Sequence, residues 1–169
     1  MKLSLYFSRM KVIVLTSLLT MCLLFSESCA QEVKKLKKNT LIITIERESC
    51  RGFCPAYKMT IYGDGTVEYE GKRNVDNIGK FEKKIPKSKV QELLKAFQEA
   101  NYMNLEDVYD DPSTADAVAV YTSIKFVDKK DGKEKSKSIK NRMGGPQALN
   151  ILQDKIDSIV GKEGFKKKS

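Results

Sequence analysis

The stretch Ile42–Gly71, IITIERESCRGFCPAYKMTIYGDGTVEYEG, leaves the chain few ways to fold. Leu41, Ile43 and Ile45 alternate with Ile42, Thr44 and Glu46. That period of two marks a strand with one face buried more deeply than the other. Past a short loop, Tyr57, Met59 and Ile61 alternate with Lys58, Thr60 and Tyr62. Gly63-Asp64-Gly65 follows, and then Val67 and Tyr69 alternate with Thr66, Glu68 and Glu70. Asp-Gly between two alternating runs is a strong hairpin signal, because glycine takes the positive φ that such turns need. Three strands are thereby expected in close succession, and the rest of the chain has to cover one face of the sheet they begin.

The loop joining the first two strands is Cys50-Arg51-Gly52-Phe53-Cys54-Pro55. Gly52 permits a tight bend, and Pro55 suits a strand start or an edge because it lacks an N–H. A disulfide can close across three intervening residues if the loop folds back on itself. Loop-closure entropy assigns such a small ring about 2 kcal/mol, against about 4.7 for a very long loop. The bond would therefore brace one turn and not hold the whole domain.

The N-terminus argues for export. Lys2, Arg9 and Lys11 precede the apolar run Val12–Phe25, and the small-residue segment Ser26–Ala30 follows. This is the layout of a signal peptide over residues 1–30, and the run is short for a membrane span. Ser28-Cys29-Ala30 fits cleavage before Gln31; alternatively, Cys29 is the lipidated first residue of a lipoprotein. Cys22 lies inside the signal and Cys29 is removed or acylated, so Cys50 and Cys54 remain as one pair in an oxidising compartment. After residue 30, Lys and Arg number 28 and Asp and Glu 21, a net charge of about +7. Lysines gather in a flexible basic leader (31–40) and a basic tail (162–169). Solvated tails or attraction to an anionic surface account for them. Nucleic acid is not an expected partner, and contact with a membrane is expected only through an anchor at Cys29.

Between leader and tail, residues 41–161 read as a single domain. Lys80–Ile85 is a short fourth strand. Ser88 with Gln91 matches a capping box, and Val90, Leu93, Leu94, Phe97 and Ala100 then recur at helical spacing. Asn101–Asp116 holds the acidic window Glu106, Asp107, Asp110, Asp111 and Asp116, read as an exposed turn centred on Pro112. Its spacing matches no calcium loop, and no metal is expected there. Ala117–Val127 is the clearest strand. Asp131-Gly132 turns it back into Glu134–Lys140, a lysine-rich strand suited to an exposed edge. Pro146 opens a last helix with the stripe Leu149, Leu152, Ile156, Ile159 and Val160, closed by Gly161. Gly144 and Gly145 with Arg142 form a weak anion-binding signal at its start. The expected fold is α+β, an antiparallel sheet of about six strands with two amphipathic helices on one face, in the order ββββαββα.

The chain contains no histidine, which removes the commonest general base and zinc ligand. No cofactor-binding fingerprint or paired-carboxylate motif is present, so no catalytic residue and no cofactor is assigned. Arg47 and Arg51 would favour thiolate if Cys50 and Cys54 were reduced. Redox motifs, however, have two intervening residues, and no thioredoxin-like βαβ pattern surrounds this pair. A structural disulfide is expected, with a thiol–disulfide redox protein as the alternative.

Cys50-Arg-Gly-Phe-Cys54-Pro55-Ala-Tyr57, the turn Gly63-Asp64-Gly65-Thr66 and Tyr69-Glu70-Gly71 together resemble the bacterial envelope domains grouped as domain of unknown function 6438. The resemblance runs over about Leu41–Val160, with Tyr109, Asp116 and Leu149–Val160 in its looser later part. It implies an exported, often lipid-anchored α+β domain and transfers no catalytic residue. The expected role is a non-enzymatic binding or scaffolding module in the cell envelope. Its contact surface would be Arg51, Gly52, Phe53, Pro55 and Tyr57 with the hairpin edge, and its partner a protein, a glycan or an anionic surface.

Overall fold

The alternation at the start of the domain becomes strand β1 (Leu41–Arg47), whose Leu41, Ile43 and Ile45 are buried. The computed structural model describes residues 40–168 except 112, 114, 115 and 129. The signal peptide, Cys29, residues 31–39 of the leader and Pro112 lie outside the described residues. Strands β2 (Ala56–Tyr62) and β3 (Thr66–Arg73) form the expected hairpin, and β4 (Gly79–Lys84) follows. Helix α1 (Lys87–Glu99) leads through a 3-10 turn (Tyr102–Asn104) to β5 (Val108–Asp110). Then come β6 (Val120–Val127), β7 (Glu134–Arg142), helix α2 (Gln147–Val160) and β8 (Lys166–Lys167).

Among the described residues one sheet of eight strands results, in the order β5-β7-β6-β1-β2-β3-β4-β8. It is larger than the six strands expected, and β5 runs parallel to β7, so it is mixed. The two additions are edge strands of three and two residues, too short to show any period in sequence. Short edge strands limit the exposed ladder on which another chain could pair. The lysine-rich strand β7 is next to the edge, but β5 covers only Lys140–Arg142 of it. Its first residues thus keep the exposed edge position assigned to them.

Both helices cover the same face of the sheet. Val90, Leu93, Ala96 and Phe97 of α1 share one core with Leu149, Leu152, Ile156 and Val160 of α2 and with Ile43, Ile61, Val67, Ile124 and Ile139 from the strands. The opposite face is polar, with Thr44 between Thr60 and Ser123 in register. Lys58 and Lys72 flank Glu46 on that face.

Helix starts differ from expectation. Pro86 and Pro146 are the N-caps, one residue before each helix, and neither makes a side-chain cap bond. The capping box at Ser88 therefore does not form. Gly161 closes α2 with φ 66°, as expected. Inside the core, Thr122, Asn141 and Gln153 are nearly fully buried. The Gln153 amide donates to the Thr122 hydroxyl (2.9 Å), while Asn141 donates to Asn150 (2.8 Å) and Gln153 (3.1 Å). Asn141 also accepts the Gly145 N–H at 3.2 Å, and Asp110 lies 3.6 Å from Arg142. The Gly145 N–H and the Arg142 guanidinium of the weak anion signal are thus already engaged.

Two glycines have steric reasons. At Gly65 (φ +87°) a Cβ would lie 2.3 Å from the Ile85 carbonyl oxygen, and at Gly71 it would lie 1.8 Å from that of Asn77. Beside Gly65, Asp64 accepts from the Thr66 N–H (2.9 Å), the Thr66 hydroxyl (3.0 Å) and Lys84 (3.0 Å). Burial opposes its ionisation, but these bonds win and lower its pKa from 3.8 to about 2. The depressed value stabilises the fold above the ordinary carboxylate pKa, and that contribution is lost as pH falls through about 2. Screening at this solvent-facing turn limits it to about 1 kcal/mol. Acid unfolding of Asp64→Asn is expected to lose that component between pH 4 and 2, a difference that urea melts along a pH series would measure.

Candidate functional site

At the end of the sheet where β1 finishes and β2 begins, Arg47 continues the buried odd-numbered face of β1 past Ile45. Its guanidinium lies on α2, 2.6 Å from Asp157 Oδ2 and 3.2 Å from Asp154 Oδ1. Its Nε also donates to the Tyr57 hydroxyl at 3.1 Å. Only 19% of the Arg47 side chain is exposed. Burial, followed by the hydrogen bond to Asp157, raises the Tyr57 pKa far above its ordinary value, and Arg47 only partly opposes this. Burial opposes the charge on Arg47, but Asp157 and Tyr57 together more than offset it and raise its pKa.

This charged cluster lies beside a cleft of about 450 Å³, within the size range of small-molecule sites. Tyr69 lines it next to Tyr57, with the two rings stacked 5.7 Å apart, and Phe165 packs 5.0 Å from Tyr69. The loop Asn74–Asn77 forms another wall, held close to β3 because Gly71 has no side chain. Asn74 (φ 54°) reaches across to donate to the Cys54 carbonyl at 3.2 Å. The cleft wall and the cysteine loop are therefore tied together.

Cys50 and Cys54 form a disulfide, with Cα atoms 5.5 Å apart. The Gly52 N–H points to Cys50 Sγ at 3.3 Å. Phe53 stands out from this loop with 94% of its surface exposed. Arg51, equally open, meets Asp116 at 3.1 Å. Of the residues singled out from sequence, Pro55 and Tyr57 line the cleft, whereas Arg51, Gly52 and Phe53 form the exposed loop above it. Neither arginine serves the sulfurs: Arg47 turns inward to α2 and Arg51 pairs with Asp116. The hairpin edge does not belong to this surface, because β2 and β3 lie inside the sheet with neighbours on both sides.

Sequence reasoning missed Arg47, Asp154 and Asp157 as partners. The register placed Arg47 on the buried face, but only the packing of α2 supplies the carboxylates. The acidic window is pulled apart by cations. Asp107 bonds Lys137 at 2.6 Å, Asp110 bonds Lys140, and Asp116 goes to Arg51.

These features define an α+β domain with a helix-covered sheet and a disulfide-closed loop beside an aromatic and charged cleft. The chain belongs to the family described as a domain of unknown function, DUF6438, whose model matches residues 41–160. The match runs from the first residue of β1 to the last of α2 and leaves β8 outside. A search of curated proteins finds no match.

Proposed function

We propose that this is an exported cell-envelope protein, a non-enzymatic binding module that meets its partner with the Cys50–Cys54 loop. The observation that carries the reading is Phe53, a large apolar side chain almost fully in water on a covalently closed loop. Exposed aromatic side chains of this kind serve as interface anchors, and closing the loop in advance lowers the ordering cost of binding. The positive charge lies in the basic ends, and these suit an acidic protein surface, an anionic glycan or an anionic envelope surface. Export rests on the N-terminal pattern. The intact mass of the processed protein distinguishes cleavage before Gln31 from acylation at Cys29.

A photo-crosslinking residue placed at Phe53 in living cells tests the reading, with the same residue at Ile151, an exposed apolar position on α2, as control. Discrete adducts are expected from position 53, absent from 151 and lost in Cys50→Ser/Cys54→Ser. Equal labelling at both positions, or none, overturns the proposal. The disulfide variant is expected to lose about 2 kcal/mol in urea melts, the loop-closure value for so small a ring. The reduction potential separates this reading from the redox alternative. A value below about −300 mV marks a structural bond, and a much higher one marks a labile, working bond.

A further inference from the structure

At the end of the sheet opposite the cysteine loop, a second cavity of about 710 Å³ opens between α1 and the strands β1 and β6. Its base is made by Leu41, Phe97, Tyr102 and Ile124, all nearly fully buried. At its mouth Met103 and Val127 keep 41% of their surfaces in solvent. These two side chains carry the apolar surface of the cavity out to its rim, and methionine adapts its shape to varied apolar occupants. The charged residues of the lining are Lys95, Lys130 and Asp128. Asp128 bonds Lys135, and among the described residues Lys95 meets Glu99 in an exposed contact at 3.4 Å. The opening therefore offers ammonium groups beside an apolar interior. A ligand complementary to both is amphiphilic, with an apolar tail and an anionic head.

We infer that this cavity binds a single-chain anionic amphiphile, its acyl tail against Leu41, Phe97 and Ile124 and its head beside Lys95 and Lys130. The volume falls within the range of about 300–1,000 Å³ found for small-molecule sites. This inference stands apart from the reading of the cysteine loop, because the two surfaces lie at opposite ends of the strands. A carboxylate and a phosphate head satisfy the same two lysines, so palmitate and a lysophosphatidic acid of equal chain length both serve as ligands.

The test is displacement of the fluorescent fatty acid cis-parinarate from the processed protein, without detergent. Saturable one-to-one binding is expected, reversed by palmitate and by the lysophosphatidic acid. Stronger competition by one of them identifies the head the site prefers. Met103→Glu puts a charge at the already exposed mouth, where the fold tolerates it, and is expected to weaken binding at least tenfold. Lys95→Glu/Lys130→Glu is expected to weaken both anionic ligands about tenfold while leaving monopalmitin, the uncharged glycerol ester, unchanged. Absence of saturable binding overturns the inference. Binding indifferent to Met103→Glu overturns it as well, by placing the ligand elsewhere. Equal losses for monopalmitin and palmitate in the lysine variant overturn the assignment of the head.

Discussion

Replacing Arg47 by methionine is expected to destabilise the domain by about 3 kcal/mol, the largest loss among single charge removals outside the core. Arg47 is mostly buried and holds Asp157, Asp154 and the Tyr57 hydroxyl together. Taking away one partner of such a cluster leaves the other charge poorly solvated, which costs more than the pair was worth. The companion Asp157→Leu in the same chain is therefore expected to restore much of the loss, whereas two independent deletions would simply add. Urea melts of both single variants and the double variant close the cycle. Salt is a useful contrast: the buried pair should resist it, while the exposed Lys95–Glu99 pair should not. Tyr57 contributes from the alkaline side. Its folded pKa is raised by burial and by Asp157, so its share of the stability is intact below the ordinary tyrosine pKa and is lost as pH rises beyond it. Tyr57→Phe should flatten the alkaline limb of the stability profile.

How much of this could be read from the chain alone depends on the range of each interaction. The strands β1, β2, β3 and β6 were visible because a period of two survives wherever one face is buried and the other is wet. Leu41, Ile43 and Ile45 carry that signal without help. Both helices were visible for the same reason at period 3.6. The edges were not, because Val108–Asp110 and Lys166–Lys167 pair through backbone groups and need no apolar side chains. The order of strands was also hidden. Nothing in Ala117–Val127 says that it inserts beside β1, and that insertion moves β1 from the edge to the interior of the sheet. The cysteine loop was legible as a covalent unit, since two sulfurs four residues apart carry their own geometry. The cleft beside it was not, because Arg47 and Asp157 are separated by 110 positions. Asn141 and Gln153 failed for a different reason. Each is polar in a place where a pattern reader assigns solvent, and only their mutual hydrogen bonds make burial tolerable.

Those bonds carry the second large effect. Gln153→Ala is expected to cost about 3 kcal/mol, a fall in melting temperature of roughly 10 °C for a domain of this size. Two losses combine in that figure. The truncated side chain leaves a void between α2 and the sheet, in a core otherwise filled by Leu149, Leu152 and Ile139. The Thr122 hydroxyl loses its donor, and one donor of the Asn141 amide loses its acceptor, in positions that solvent does not reach. Gln153→Leu separates the two terms, because leucine refills most of the volume and leaves the polar groups orphaned. It should cost about half as much if the void and the lost bonds weigh equally. Adding Thr122→Val removes one orphan and should recover part of the remainder, since deleting both partners of a buried hydrogen bond costs less than deleting one. Equal melting temperatures for wild type and Gln153→Ala in differential scanning calorimetry would show that the network does not hold α2 to β6 and β7.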